Sequence, residues 1–177
     1  AFGLIASMVG ISSVKTDGKE APMKALSRGY WVTAPLATVL FYAAVFLFLE
    51  GNLFFFAAGF MGILASVAML YITTYYTERE YKPVQDIAKA SETGAATNII
   101  AGLAVGMETT ALSSLVLGGA LLASYWLGNQ TGLAFGGLFG TAMATMGMLT
   151  TAAYVLAMDT FGPIADNAGG IVEMSKA

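Results

Sequence analysis

Cysteine and histidine are both absent from this chain of 177 residues. Without cysteine there can be no disulfide framework, no thiol catalysis and no thiolate metal site. Without histidine there is no imidazole base and no histidine-ligated zinc. Any metal would therefore be a hard cation held by oxygen ligands, with magnesium or calcium as the first candidates.

Charged residues are also scarce in this chain. Only 11% of the residues are charged and 57% are hydrophobic, whereas a typical globular domain is about 25% charged. The composition therefore indicates a membrane protein with the lipid bilayer as its main environment. The net charge of −3 is small, and no basic patch favours nucleic acid as a partner.

Long apolar segments are what the chain has instead, and they predict an all-α, polytopic transmembrane helix bundle. A spanning helix needs about 20 residues, so the first segment is short, and we expect it to be a truncated span. The links at 50–52 and 128–131 are tight, which favours antiparallel helix pairs. The five predicted spans, in one transmembrane region covering 1–177, are about 1–14, 31–49, 53–76, 109–127 and 132–158.

Basic residues predict the orientation of the bundle. With five alternating spans, the two loops at 15–30 and 77–108 and the C-terminal tail fall on one side. The opposite side carries Glu50 and no basic residue. By the positive-inside rule the loops and the tail are cytoplasmic, in an inner or plasma membrane of prokaryotic type. The eight basic residues are Lys15, Lys19, Lys24, Arg28, Arg79, Lys82, Lys89 and Lys176.

Glu108 allows two interpretations. A span that begins at Thr109 leaves Glu108 at the membrane boundary, after a helix-compatible stretch from Ala88 to Met107. A span that begins earlier places this carboxylate in the hydrocarbon region as a functional group, at a cost of about 2.5–3.5 kcal/mol. We favour the boundary position, because a helix from Thr109 to Leu127 is still long enough to cross a bilayer.

Small residues recur at helical spacing in the last segment. Such a stripe allows close contact between helix backbones in a membrane, where helices gain no hydrophobic drive to associate. The alternative is a water or ion path lined by small side chains. The residues of the stripe are Gly132, Gly136, Gly140, Ala144 and Gly147.

Three carboxylates follow where the last apolar segment ends. Asp159, Asp166 and Glu173 are seven residues apart, so on a helix they share one face. Pro163 removes a backbone donor between them, which predicts a kink and a free carbonyl near Asp159. They could also merely solvate a helix end, or Asp166 could cap a new helix. We expect an oxygen-ligand site for a cation, with Asp166 as the leading residue.

Several motifs together resemble those of the membrane-integral pyrophosphatases. The order and spacing match over about the second half of the chain, and the last motif is the most specific. The matching segments are Tyr75-Tyr76-Thr77, Lys82-Pro-Val-Gln-Asp86, Gly94-Ala-Ala-Thr-Asn98, Gly102-Leu-Ala-Val-Gly106 and Asp159-Thr-Phe-Gly-Pro-Ile-Ala-Asp-Asn-Ala-Gly-Gly170.

The resemblance implies an enzyme that couples magnesium-dependent pyrophosphate hydrolysis to pumping of protons or sodium. Members of that family are homodimers of about sixteen helices per subunit, and some depend on potassium. The resemblance assigns Asp166 to the magnesium-binding active site on the cytoplasmic side, with Asn167 as an adjacent metal-site residue. It places Asp159 below them, toward the pump gate.

The resemblance also implies that other parts of the site come from elsewhere. The further acidic motifs and lysines of the family precede and follow the stretch that this chain matches. We therefore expect this segment alone to be inactive and to need the remainder of the same enzyme as its partner. The alternative from a different class is a non-enzymatic helical subunit of an ion channel or a secondary transporter.

Overall fold

The computed structural model describes residues 1–16, 20 and 22–175, and within these residues it contains helices and no strand. The predicted all-α fold is confirmed. Lys19 and Lys176 of the basic set lie outside the described residues. The helices are α1 (Phe2–Ser13), α2 (Pro22–Phe48), α3 (Leu53–Thr77), α4 (Lys82–Ser91), α5 (Ala95–Asn129), α6 (Gly136–Leu149) and α7 (Ala152–Ser175).

Three helical stretches within the described residues are long and apolar enough to cross a membrane: α2, α3 continued by α4, and α5. A fourth is the bent pair of α6 and α7. The first helix, α1, has only 12 residues. The turn between α2 and α3 is tight, because Glu50 and Gly51 both adopt positive φ, at 52° and 71°. Asn52 then caps α3 by accepting a hydrogen bond from the Phe54 amide at 3.0 Å.

Helix α5 begins at Ala95, well before the predicted span at 109–127. Its 35 residues correspond to about 52 Å, whereas the hydrocarbon core is about 30 Å thick. The stretch before Thr109 includes the apolar run 99–107, which is flanked by the polar residues Asn98 and Glu108. The apolar part of α5 therefore extends to both sides of Glu108.

The predicted fifth span is broken. Helix α6 ends at Leu149, α7 begins at Ala152, and the two are bent by 43°. The Thr150 hydroxyl donates to the Gly147 carbonyl at 2.6 Å, so this hydroxyl bonds locally, just before the break. The kink expected at Pro163 does not interrupt the helix, because α7 continues through that residue to Ser175.

The small-residue stripe on α6 packs against two helices. A Cβ at Gly136 or Gly140 would collide with backbone oxygens of α5, at Gly128 and Ser124. A Cβ at Gly147 would collide with the carbonyl oxygen of Gly59 in α3. The prediction of close backbone contact is confirmed for these glycines.

Gly132 does not belong to the stripe. It lies in the turn before α6 with φ at 73°, and a Cβ there would meet nothing within 4 Å. The prediction that Gly132 contacts another helix is wrong, because α6 starts only at Gly136. Its role is to supply the left-handed turn that an L side chain rarely adopts.

Candidate functional site

The three predicted acids all lie on α7. The helix is unbroken from Ala152 to Ser175, so Asp159, Asp166 and Glu173 follow one another along one face. All three are exposed. Their side chains make no hydrogen bond or ion pair with any described residue. The acidic face of α7 is therefore unobstructed in this part of the protein.

Glycines surround Asp166 on its own helix. Gly162 and Gly170 lie four residues before and after it, and Gly169 lies three residues after it, so all three are its neighbours on the helix surface. A Cβ at any of these glycines would meet no described residue within 4 Å. Among the described residues, the surface on both sides of Asp166 along the helix is therefore uncovered.

The first turns of α7, in contrast, are anchored in the bundle. The Tyr154 hydroxyl donates to the Leu26 carbonyl of α2 at 2.7 Å, and Tyr154 and Met158 are buried in a cluster with Tyr30. The Thr151 hydroxyl contacts the Ser66 hydroxyl of α3 at 2.7 Å. Among the described residues, no side chain of α7 beyond Met158 is buried.

These anchoring hydroxyls were missed in the sequence analysis. Ser66 and Thr151 are isolated polar residues in apolar segments, and each hydroxyl must find a partner where water is absent. An isolated polar residue in an apolar segment can therefore be used to predict a buried hydrogen bond. The partner of that bond could not be predicted here, because Ser66 and Thr151 are 85 positions apart in the sequence.

A cavity of about 670 Å³ marks the end of the bundle toward which the acidic half of α7 extends. It lies where α2 begins and α3 ends, and Phe161 of α7 closes one side. Arg28 pairs there with Glu20 and donates to the Lys15 carbonyl. The cavity thus gathers residues from both basic loops at one end of the bundle. Its charged lining residues are Glu20, Lys24, Arg28, Glu78, Arg79 and Glu80.

A sequence model described as inorganic H+ pyrophosphatase matches residues 1–177. The chain belongs to that family. The resemblance given by the motifs is therefore confirmed, and the chain is part of an integral membrane protein.

Relatives of this H+ pyrophosphatase segment are similar over nearly its whole length. A K(+)-insensitive pyrophosphate-energized proton pump 2 of Moorella thermoacetica is 54% identical over 100% of this chain and 26% of its own length. Pyrophosphate-energized membrane proton pump 3 of Arabidopsis thaliana is 48% identical over 99% of this chain and 24% of its own length. Pyrophosphate-energized proton pump 2 of Mycoplana dimorpha is 39% identical over 97% of this chain and 85% of its own length. The chain thus spans about a quarter of the length of the first two relatives.

The acids of α7 do not form a complete metal site by themselves. Asp159 and Asp166 are separated by about 10 Å along the helix, whereas magnesium–oxygen distances are about 2.1 Å. One ion therefore cannot contact both carboxylates. Within residues 1–16, 20 and 22–175, no three acidic side chains come together as a metal-binding group.

Asp166 and Asn167 also differ in direction. Consecutive residues of a helix are about 100° apart around the axis, so their side chains leave α7 on different faces. Asp166 fits a magnesium ligand on the acidic face. Asn167 would have to reach the same ion around the helix surface, so the geometry favours Asp166 of the two predicted metal-site residues.

Glu108 has a partner in this structure. The Tyr76 hydroxyl donates to its Oε1 at 3.0 Å, and Tyr76 lies in the last turn of α3, just before the charged turn that begins at Glu78. The contact brings Glu108 level with the end of α3. The position of Glu108 at the membrane boundary stays a prediction.

Proposed function

We propose that this chain forms a middle portion of an ion pump in which pyrophosphate hydrolysis drives ion transport across the membrane. The observation that carries the proposal is the course of α7. One helix links a buried apolar anchor at Tyr154 to an open acidic face at Asp166. A cation and phosphate site at one end of that helix can thereby be connected with the membrane-embedded part at the other end.

The transported ion is, in this proposal, the proton. Two relatives that are 54% and 48% identical are named as proton pumps. The first is also named as K(+)-insensitive, so we propose that potassium is not required here. Sodium transport is the alternative, and the transport assay in sealed vesicles described below distinguishes it from proton transport.

Magnesium is the proposed cofactor, and Asp166 is the residue of this chain that would bind it. When bound, the metal would neutralise phosphate charge and orient the leaving group of the hydrolysis. The other ligands would come from the rest of the enzyme, because α7 offers one carboxylate per two turns. Asp159 would act between this site and the membrane, since it lies about 10 Å nearer to the anchored end.

The partners in the proposal are the remainder of the same polypeptide and a second copy in a homodimer. Helix α5 supports the first of these. No residue in its apolar stretch of membrane-spanning length is buried by the described residues. Cβ atoms at Gly102, Gly106, Gly118 and Gly119 would meet no described residue within 4 Å. Small residues without neighbours on a membrane helix are typical of surfaces that contact further helices.

The function is tested on the full-length protein in sealed vesicles. We expect added magnesium pyrophosphate to be hydrolysed and to generate a pH gradient that a protonophore abolishes. Pyrophosphate hydrolysis without any ion movement, or movement of sodium that persists with the protonophore, would contradict the proton-pump proposal. Omitting magnesium should stop both activities together.

The orientation is tested by cysteine accessibility, since the segment has no cysteine of its own. We propose that the end with Lys82 is cytoplasmic and that the turn at Asn129 is external, because basic residues remain on the inside. A cysteine at Lys82 should react with an impermeant reagent only from the cytoplasmic side, and one at Asn129 only from the other side. The inverse labelling pattern would refute this orientation.

A further inference from the structure

The break between α6 and α7 is enclosed by two other helices. The Thr151 side chain is fully buried, and its hydroxyl lies 2.7 Å from that of Ser66 in α3. On α1, a Cβ at Gly3 would come within 2.7 Å of the Thr150 carbonyl oxygen. The backbone at the break is therefore in direct contact with α1, and its side chain is hydrogen-bonded to α3.

The Ser66–Thr151 contact belongs to a chain of hydroxyl groups. Tyr30 of α2 lies 3.5 Å from the Ser66 hydroxyl, and the Thr151 hydroxyl donates to the Met148 carbonyl at 3.4 Å. If Tyr30 donates to Ser66 and Ser66 to Thr151, each hydroxyl of the Ser66–Thr151 pair is both donor and acceptor. A buried hydroxyl needs such partners, because no water replaces a lost one.

Two hydrogen bonds thus fix the start of α7 on two different helices within one turn. Thr151 bonds to α3 through Ser66, and Tyr154 bonds to the Leu26 carbonyl of α2 at 2.7 Å. Together with the buried side chain of Met158, the two contacts restrain the tilt of α7. Loss of either hydrogen bond would loosen that restraint.

The position of the acids depends strongly on that tilt. Asp166 lies about 22 Å beyond Thr151 along the helix, at the standard rise per residue. A change in tilt of about 5° would therefore move Asp166 by about 2 Å, and displacements of about 1 Å are enough to slow an enzyme a hundredfold. No buried side chain beyond Met158 corrects the direction of α7 within the described residues.

We propose that Ser66 and Thr151 are positioning residues, whose mutual hydrogen bond sets the tilt of α7 and thereby places Asp159 and Asp166 for the reaction. The inference rests on the proposed function, in which those carboxylates serve hydrolysis and transport. The hydroxyl groups, rather than the side-chain volumes, carry the effect. Valine has the shape of threonine, so Thr151→Val removes the bond and leaves the packing, whereas Thr151→Ser keeps the bond.

The test uses the full-length enzyme and measures kcat and KM for magnesium pyrophosphate per mole of folded protein. We expect Thr151→Val and Ser66→Ala each to lower kcat by about tenfold to hundredfold, because a misplacement of about 1 Å can cost up to that much. The double variant should lose much less than the product of the two single losses, because both variants remove the Ser66–Thr151 bond. Thr151→Ser should stay within about twofold of the parent enzyme.

Thr150→Val is the matched control, because among the described residues the Thr150 hydroxyl bonds only to the nearby Gly147 carbonyl. Its kcat should stay near that of the parent. A merely structural contact would lower the melting temperature of all these variants but leave kcat per folded enzyme unchanged. Unchanged kcat in Thr151→Val, additive losses in the double variant, or an equal loss in Thr150→Val would each overturn the positioning role.

A distance measurement separates this inference from the proposed function. Spin labels at Thr73 of α3 and Ile171 of α7 report the tilt directly, and both positions are exposed. Thr151→Val should shift or broaden their distance distribution by about 2 Å or more, since Ile171 is about 30 Å beyond the break. An inactive parent enzyme would refute the function, whereas an unchanged distance in Thr151→Val would refute the positioning pair.

Discussion

Replacing Asp166 by asparagine should abolish pyrophosphate hydrolysis and pumping together in the full-length enzyme. The substitution keeps size and hydrogen bonding but removes the charge that a magnesium ligand needs. We expect a loss of at least about 100-fold, since interactions that stabilise transition-state charge contribute effects of that order. Steady-state hydrolysis and vesicle acidification, measured over a range of magnesium concentrations, provide the readout.

Two further variants give this experiment its controls. Glu50→Gln removes a carboxylate in the exposed turn between α2 and α3, at the other end of α2 from the cavity, and should leave both activities near the parent values. Asp159→Asn should impair transport at least as strongly as hydrolysis, because this residue lies nearer to the anchored end of α7. If Asp166→Asn hydrolyses pyrophosphate at the parent rate with the same magnesium dependence, the ligand assignment is wrong.

Gly147→Leu should prevent the bundle from assembling. A Cβ at this position would collide with the Gly59 carbonyl oxygen of α3, and a backbone atom cannot rotate away as a side chain can. Overpacking of a well-packed core costs about 1–3 kcal/mol, and we expect the upper end of that range or more here. Size-exclusion profiles and melting temperature in detergent should show aggregated or destabilised enzyme.

Ala142→Leu is the matched control for that variant. It lies on the same helix, makes a comparable change from a small residue to leucine, and is exposed among the described residues. It should assemble as the parent does. Equal stability of Gly147→Leu and Ala142→Leu would show that close contact of α6 with α3 is not required for assembly.

Helix α3 shows what the sequence can predict about this fold. Its predicted apolar segment at 53–76 agrees with the observed helix to within one residue. Asn52 supplies an N-cap, and the charged turn after Thr77 supplies an equally clear end. Helix α5 lacks such a signal at its start. Glu108 interrupts its apolar residues, and a prediction that keeps this acid out of the span places the start at Thr109 instead of Ala95.

The break at Thr150–Thr151 could not be predicted in the same way. Threonine is tolerated within a helix, and the bend depends on contacts with Gly3 and Ser66, which are distant in sequence. Pro163 gave a stronger local signal, yet the helix passes through it. A proline removes one hydrogen bond, whereas the threonine pair is held in place by two neighbouring helices.

The placement of the three acids on α7 was predictable from the sequence, whereas their surroundings were not. Seven-residue spacing correctly predicts one acidic face for Asp159, Asp166 and Glu173, because α7 is a continuous helix. The same spacing could suggest that the three acids form a cluster. The rise per residue, however, separates Asp159 from Asp166 by about 10 Å, which is too far for one metal ion to bind both. Whether Asp166 joins a metal site is decided by groups from other helices, which a single helical pattern cannot reveal.

The ring contact between Trp31 and Tyr71 has a consequence for the lipids around the protein. The two ring centroids are 6.3 Å apart, so they mark one level, and the Leu49–Asn52 turn marks the other end of both helices. From Trp31 to Phe48 and from Leu53 to Tyr71, the rise is about 26–27 Å, less than the average hydrocarbon thickness of about 30 Å. If this aromatic pair lies at the membrane interface, we expect the two helices to fit a bilayer with a hydrocarbon core of about that thickness, around which longer acyl chains would have to compress.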